Sequence, residues 1–137
     1  MALILDTGPL LAALDASDPD HQRCARLVTE AQEDLVVPTL VLAELYYFCA
    51  KRLTADAWLI FLDDLLGGAY RLESPSGPDL ARCRELQSRY LDLGLGVVDA
   101  SIVALAERLG EPKIGTLDQR HFRAVRPAHV EAFSLLP

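Results

Sequence analysis

The stretch ALILDTGP, residues 2–9, decides how the rest of the chain is interpreted. Its opening residues are apolar and β-prone, and Asp6 ends the run just before Thr7, Gly8 and Pro9. The pattern predicts a strand that leaves its sheet at Asp6. Two interpretations of Asp6 stay open: it caps a helix with an early proline, or its carboxylate serves a site at the strand exit.

Similar short runs alternate with longer segments of helical period along the chain. The strand candidates are ALILD at 2–6, DLVVP at 34–38, AYRLE at 69–73, PKIGTLD at 112–118 and VEAFSLL at 130–136. Helical spacing marks Cys24 to Ala31, Thr39 to Lys51, Thr54 to Leu66, Leu80 to Leu93 and Val97 to Leu109, and SPSGP at 74–78 is interpreted as one loop. The alternation predicts an α/β fold with a central parallel sheet of about five strands, flanked by helices.

Length and composition indicate one compact domain over residues 1–137, since 51% of the residues are hydrophobic. No apolar run reaches membrane-spanning length, and the first residues lack a basic segment, so we expect a soluble, unprocessed, cytoplasmic protein with no membrane partner. Cys24, Cys49 and Cys83 are odd in number and widely spaced. We expect them to be buried free thiols.

The net charge of −7 argues at first against a nucleic-acid substrate, because phosphate binding usually needs basic surface. The objection weakens if several acids form a cation site. Two bound divalent ions, which add four charges, would change the formal balance from −7 to −3.

Two acids stand in unusually apolar helical surroundings. The neighbours of Glu44 one turn away are Leu40, Val41, Tyr47 and Phe48, and those that follow Asp99 are Ile102, Val103 and Ala106. A carboxylate there is costly unless a cation compensates it. A surface glutamate with an extended side chain remains open for Glu44, and stabilisation by the helix dipole remains open for Asp99.

A fourth acid, Asp118, follows the strand candidate KIGTL, and alone it would be interpreted as a turn or cap residue. Together, Asp6 and Asp118 lie at strand exits while Glu44 and Asp99 lie on apolar helix faces, as one pocket above a parallel sheet would require. Clustered carboxylates repel unless some are protonated or cations hold them. Oxygen ligands favour Mg²⁺ or Mn²⁺.

Other polar residues are given simpler interpretations. His21, His121 and His129 share no metal-ligand spacing, and we expect each to be a surface or loop residue. Arg82 and Arg89 lie two turns apart with Glu85 between them, and pairing along one helix surface accounts for them.

With these residues in place, the chain resembles the PIN-domain ribonucleases, and among them the VapC-like toxins of bacterial toxin–antitoxin systems. The resemblance rests on ILDTGPLLAALDASDPDH, VLAEL, LGVVDASIVALAERLG and IGTLDQRHF, in this order. It implies a three-layer PIN-like fold and an endoribonuclease in which Asp6, Glu44, Asp99 and Asp118 hold one or two Mg²⁺ or Mn²⁺ ions. It also implies that the hydroxyls of Thr7 and Thr116 support these ligands.

The resemblance further implies a homodimer, a VapB-like antitoxin that occupies the groove, and a higher toxin–antitoxin assembly. Metal-activated water would then hydrolyse RNA to a 3′-hydroxyl and a 5′-phosphate. Arg120, Arg123 and Arg126 are candidates for contacts with the RNA backbone, with ordinary solvated charges as the alternative.

Two other functions remain as alternatives. A haloacid-dehalogenase-type phosphatase also places an Asp after the first strand, but it needs a second acid two positions later, where this chain has Gly8. A catalytically idle PIN-like binding or dimerisation module is the other alternative, against which the four intact acids argue.

Overall fold

The computed structural model describes residues 1–137, with a sheet of five parallel strands at its centre. The strands are β1 Ala2–Leu5, β2 Asp34–Pro38, β3 Arg71–Glu73, β4 Lys113–Gly115 and β5 Ser134–Leu136. Their order across the sheet is β3-β2-β1-β4-β5, and every neighbouring pair is parallel. All five predicted strands are present, and the expected α/β class is confirmed.

Seven helices flank the sheet. They are α1 Thr7–Leu14, α2 His21–Glu30, α3 Thr39–Arg52, α4 Ala55–Leu66, α5 Gly77–Arg89, α6 Val97–Leu109 and α7 Gln119–Ala124. The predicted bounds of α6 are confirmed, and Gly110 ends this helix with a left-handed φ of 69° that glycine adopts without strain. None of the helices combines the length and the apolar character needed to span a bilayer.

Two helices were not predicted, and one predicted loop is shorter than expected. Helices α1 and α7 have eight and six residues, about two turns or fewer, and are too short for a clear periodicity in the sequence. The segment 74–78 is not one loop, because α5 begins inside it at Gly77. Ser76 accepts a hydrogen bond from the backbone of Asp79, whose carboxylate accepts one from the backbone of Ser76, and this capping box starts the helix early.

The hydrophobic core joins β1 and β2 to the buried face of α6. All four residues of β1 are buried, and so is the continuous run from Ala100 to Ala106. Burying a large aliphatic side chain contributes about 1.5–3 kcal/mol relative to leaving it exposed, so this contact fixes the start of α6 above the sheet. The three cysteines are buried free thiols, as expected, and burial raises the pKa of each.

Candidate functional site

A pocket of about 360 Å³ lies where β1 and β4 end, and all four predicted acids line it. Asp6 directly follows β1, Asp118 follows β4, Glu44 lies on α3, and Asp99 lies in the first turn of α6. The remaining lining residues are Thr7, Gly8, Leu11, Phe48, Arg52 and Leu117. The fold therefore brings four acids to one edge of the sheet, although the other three follow Asp6 by 38 to 112 residues in the sequence.

Asp6 is the most buried of the four acids, with 8% of its surface exposed. Its Oδ1 accepts a hydrogen bond from the backbone N–H of Thr7 at 2.8 Å, and its Oδ2 accepts one from Thr116 Oγ1 at 2.9 Å. The pKa of Asp6 is raised to about 6, mainly by burial; the negative charges of Asp99 and Glu44 add to the rise, and the two hydrogen bonds oppose it. Asp6 is thus both the N-cap of α1 and a pocket carboxylate.

Glu44 lies between the core and the solvent. Val41 and Leu45 on the same helix are fully buried, whereas Tyr47 is 51% exposed. The carboxylate reaches the pocket, where its Oε1 accepts a hydrogen bond from Thr7 Oγ1 at 2.6 Å. Thr7 therefore contacts both acids: its backbone binds Asp6 and its hydroxyl binds Glu44.

Asp99 is hydrogen-bonded to a residue that the sequence analysis did not assign to the site. Its Oδ2 lies 2.7 Å from His121 Nδ1 on α7. Burial raises the pKa of Asp99, the hydrogen bond and charge of His121 oppose the rise, and the negative charges of Asp118 and Glu44 add to it. The expectation that His121 is a surface or loop residue is wrong, because its side chain lies on a helix and is only 20% exposed.

Asp118 is the most exposed of the four acids. It occupies the N-cap position of α7 but makes no side-chain capping bond. Its backbone carbonyl accepts a hydrogen bond from Thr116 Oγ1 at 3.2 Å. The hydroxyl of fully buried Thr116 thus joins the segment after β4 to Asp6 after β1.

Gly8 allows α1 to approach the segment that carries Asp118. A Cβ atom at position 8 would lie 3.2 Å from Leu117 Cβ, which is closer than ordinary van der Waals contact. Because glycine has no side chain, α1 packs closely against Leu117, and this contact forms one wall of the pocket. The same position lacks the second acid that the phosphatase alternative requires.

The donor set suits a hydrated divalent ion. No three His, Cys, Asp or Glu side chains are arranged so that they could hold one ion between them as they stand. However, Mg²⁺ usually keeps several waters and takes only one or two carboxylates. The lining residues include four carboxylates and no His or Cys, and a cation would offset the burial and the like charges that raise the pKa of Asp6. These residues therefore fit Mg²⁺ or Mn²⁺.

The arginines predicted for backbone contacts lie outside the pocket. Arg120, Arg123 and Arg126 are exposed, and Arg123 Nη2 donates to Gln119 Oε1 at 2.6 Å. The basic side chain that does line the pocket is Arg52, which ends α3. Its spacing of four residues from Phe48 and eight from Glu44 placed it on the same helix face and could have identified it.

Pairing along α5 explains Arg82 only in part. Arg82 Nε and Nη2 donate to both carboxylate oxygens of Glu107 on α6, at 2.8 and 3.1 Å, in addition to an exposed contact with Glu85. Glu107 Oε2 also accepts a hydrogen bond from the backbone N–H of Ala128 at 2.6 Å. The principal partner therefore lies on another helix, and Arg89 takes no part in the pairing.

The sequence is similar to those of known proteins. The model of the PIN domain family matches residues 3–127. The chain is 38% identical over 135 residues to Ribonuclease VapC26 of Mycobacterium tuberculosis, an alignment that covers 98% of this chain and all of that protein.

Solved structures show the same fold at lower identity. VapC20 of Mycobacterium tuberculosis, described as a sarcin–ricin loop cleaving toxin, superposes with a TM-score of 0.82 at 20% identity, covering 94% of this chain and 98% of that one. A chain of VapBC2 from Rickettsia felis, bound to a DNA fragment from its promoter, superposes with a TM-score of 0.71 at 19% identity over the whole of both chains. The chain therefore belongs to the PIN-domain family and, within it, to the VapC-like proteins.

Proposed function

We propose that this protein is a Mg²⁺- or Mn²⁺-dependent endoribonuclease and the toxin of a toxin–antitoxin pair. The observation that carries the proposal is that Asp6, Glu44, Asp99 and Asp118 all line one pocket, with the carboxylate of Asp6 nearly buried beside the others. Such a cluster is costly without a cation. The 38% identity to a ribonuclease of the VapC group supports RNA as the substrate.

Each pocket residue has a defined part in the proposed reaction. One or two of Asp6, Glu44 and Asp99 would bind the cation directly and the others through its waters, and Asp118, which is more exposed, would contribute through water or to a second ion. The hydroxyls of Thr7 and Thr116 fix the orientation of Glu44 and Asp6 by donating to their oxygens. A bound Mg²⁺ or Mn²⁺ supplies activation of water and neutralisation of charge on the scissile phosphate.

No side chain in the pocket is suited to attack phosphorus itself. The lining residues include no Ser, Cys, Lys or Tyr, and the hydroxyl of Thr7 is already donated to Glu44. Membership of the PIN-domain family favours water over the 2′-hydroxyl of the RNA as the nucleophile, and the carboxylates would orient it and accept its proton. A new P–O bond to water forms while the bond from phosphorus to the 3′-oxygen breaks, which leaves a 5′-phosphate on one fragment and, after protonation of the leaving oxygen, a 3′-hydroxyl on the other.

The proposed partners are a VapB-like antitoxin and a second copy of this chain, in an assembly of several toxin and antitoxin chains. Complexes named VapBC from Rickettsia felis and Salmonella typhimurium share the fold. On this chain, helices α3 and α4 expose the apolar surface that a protein partner would cover. Its members are Tyr46, Tyr47, Leu59 and Ile60, each more than half exposed.

Mapping cleavage ends on total cellular RNA tests the enzymatic part of the proposal. The purified protein should generate new 5′-phosphate ends in the presence of Mg²⁺ or Mn²⁺ and none in excess chelator. Asp6→Asn and Asp99→Asn should abolish these ends, whereas Asp63→Asn, an exposed acid on α4, should not. Cleavage by folded Asp6→Asn at the wild-type rate would refute the assignment of the site, and absence of cleavage by the folded wild-type protein would favour the idle-module alternative.

Expression tests the toxin part. Production of the wild-type protein should arrest growth, and co-production of the protein encoded beside it should relieve the arrest. The Asp6→Asn variant should be harmless. Normal growth of cells that contain active enzyme would instead indicate a nuclease without a toxin role.

A further inference from the structure

Arg52 is the one basic side chain that lines the acidic pocket. It is the last residue of α3, and it is exposed to solvent. Glu44 and Phe48 precede it by two turns and one turn on the same helix, and both also line the pocket. One face of α3 thus carries a carboxylate, an aromatic ring and a guanidinium group, in that order towards the C-terminal end of the helix.

The guanidinium group is held in place without being neutralised. Its central carbon lies 4.8 Å from the centre of the Phe48 ring, which is within range of a cation–π contact. Arg52 forms no ion pair with any carboxylate of the protein. Because stacking leaves the N–H groups at the edge of the guanidinium free, they remain available to a ligand.

We infer that Arg52 binds a phosphate of the RNA backbone at the mouth of the pocket, next to the bond that is cut. The inference rests on the proposed ribonuclease function. A polyanion that approaches four carboxylates on a chain of net charge −7 needs a local cation in addition to any metal ion. A guanidinium group supplies a charge and two parallel N–H donors that match the oxygens of a phosphate.

The neighbouring Lys51 provides a control that distinguishes RNA binding by Arg52 from a purely structural role. Both residues lie in the last turn of α3, where cations interact favourably with the helix dipole. Lys51 Nζ also lies over an aromatic ring four residues earlier, 5.1 Å from the centre of Tyr47. Lys51 does not line the pocket. Lys51→Gln is therefore a matched control that removes the same charge and a similar stacking contact.

Binding can be measured without cleavage in the Asp6→Asn background. The probe is a short fluorescein-labelled single-stranded RNA, whose anisotropy is followed at several salt concentrations. Adding Arg52→Gln should weaken binding about tenfold, the loss expected for a charge-assisted contact, and lower the magnitude of the salt slope by about 0.7. Arg52→Lys should give intermediate binding, because it keeps the charge and loses the paired donors. Lys51→Gln should change the affinity by less than about twofold.

Kinetics of the otherwise wild-type enzyme provide a second readout. Arg52→Gln should raise KM for RNA cleavage more than it lowers kcat, since a contact with the backbone is made before and during the reaction. Equal effects of Arg52→Gln and Lys51→Gln on affinity and KM would overturn the inference. Normal RNA binding together with weaker antitoxin binding would also overturn it, in favour of a protein partner. Absence of cleavage by wild type would instead reject the proposed function.

Discussion

His121 Nδ1 lies 2.7 Å from Asp99 Oδ2 and joins the short helix α7 to the first turn of α6. Each side chain is only about a fifth exposed. The contact orients one pocket carboxylate from outside the pocket, because His121 itself does not line it. Partners of this kind set the geometry and basicity of metal ligands.

Removing this partner should weaken metal binding. The hydrogen bond and charge of His121 lower the pKa of Asp99, so His121→Ala should raise that pKa further and make protons compete better with a cation. Loss of such a partner typically reduces metal affinity or activity by about 10–100-fold. The checks are the ¹³C carboxyl titration of Asp99 and the affinity for Mg²⁺.

His129→Ala is the matched control for this prediction. His129 Nε2 bonds to the backbone carbonyl of Glu111 at 2.8 Å, away from the pocket. The control variant should keep the Asp99 titration and the metal affinity of wild type. The role assigned to His121 fails if both variants behave alike.

The sequence predicted the α/β fold because its main signals are local. Buried strands such as β1 and β2 appear as apolar runs, and α6 shows its full periodicity before Gly110. Short helices such as α1 and α7 carry no comparable signal, since a few residues do not define a period. The start of α5 within residues 74–78 depends on a capping box. The sequence alone does not show that this box outweighs the tendency of the Pro and Gly residues there to form a loop.

The four acids were predictable because each stands out from its own neighbours or ends a strand. Their partners were not, since the contacts are tertiary. His121 meets Asp99 from 22 residues away, and Thr116 meets Asp6 from 110 residues away. Local spacing likewise pairs Arg82 with Glu85, whereas the fold pairs it more closely with Glu107.

Replacement of Thr116 by valine should destabilise the protein by about 1–3 kcal/mol, the cost of removing one partner from a buried polar group. Thr116 is fully buried, and its hydroxyl is donated to Asp6 Oδ2 and the backbone carbonyl of Asp118. Valine keeps the shape and removes both bonds. Urea unfolding measures the loss.

Thr116→Ser separates the hydroxyl from the methyl group in this test. Serine keeps the donor to Asp6, so metal affinity and cleavage should stay near wild type even if packing weakens. Valine should lower both. An equally active valine variant would show that the hydroxyl does not orient Asp6.

The pocket should make the metal-free protein less stable as pH rises. Burial raises the pKa of Asp6 from 3.8 to about 6, so the folded state binds this proton more tightly than the unfolded chain. This tighter proton binding adds about 3 kcal/mol to the free energy of unfolding below about pH 4, and the addition is lost as pH rises through about 6. Asp6→Asn removes this loss.

The comparison is made in chelator by urea unfolding at a series of pH values. The unfolding free energy of wild type minus that of Asp6→Asn should fall with pH, and the asparagine variant should be the more stable one at neutral pH. Acids with lowered pKa values, such as Asp79 and Glu33, are present in both proteins and cancel. A pH-independent difference would contradict the raised pKa of Asp6.

Millimolar Mg²⁺ or Mn²⁺ should stabilise wild type by offsetting repulsion among the pocket acids. At a concentration a hundredfold above Kd, binding to the folded state adds about 3 kcal/mol, which corresponds to a rise of several degrees in Tm. Asp99→Asn should show a smaller rise and exposed Asp63→Asn the full one. Identical rises in all three proteins would mean that the ions bind elsewhere.

The ion pair between Arg82 and Glu107 should contribute to stability without contributing to catalysis. Both guanidinium bonds and the bond from the Ala128 backbone converge on a carboxylate that is 11% exposed, so this side of α6 is fixed to α5 and to the segment after α7. Charge-assisted bonds of this kind contribute about 1.5–3 kcal/mol each, and the partial exposure of Arg82 reduces that value. Arg82→Gln should therefore lower the unfolding free energy by about 1–3 kcal/mol.

The control is Arg84→Gln, because Arg84 is an exposed arginine on the same helix that forms no ion pair, and its replacement should have little effect on stability. At temperatures where both variants are folded, both should cleave RNA at the wild-type rate, because neither residue lines the pocket.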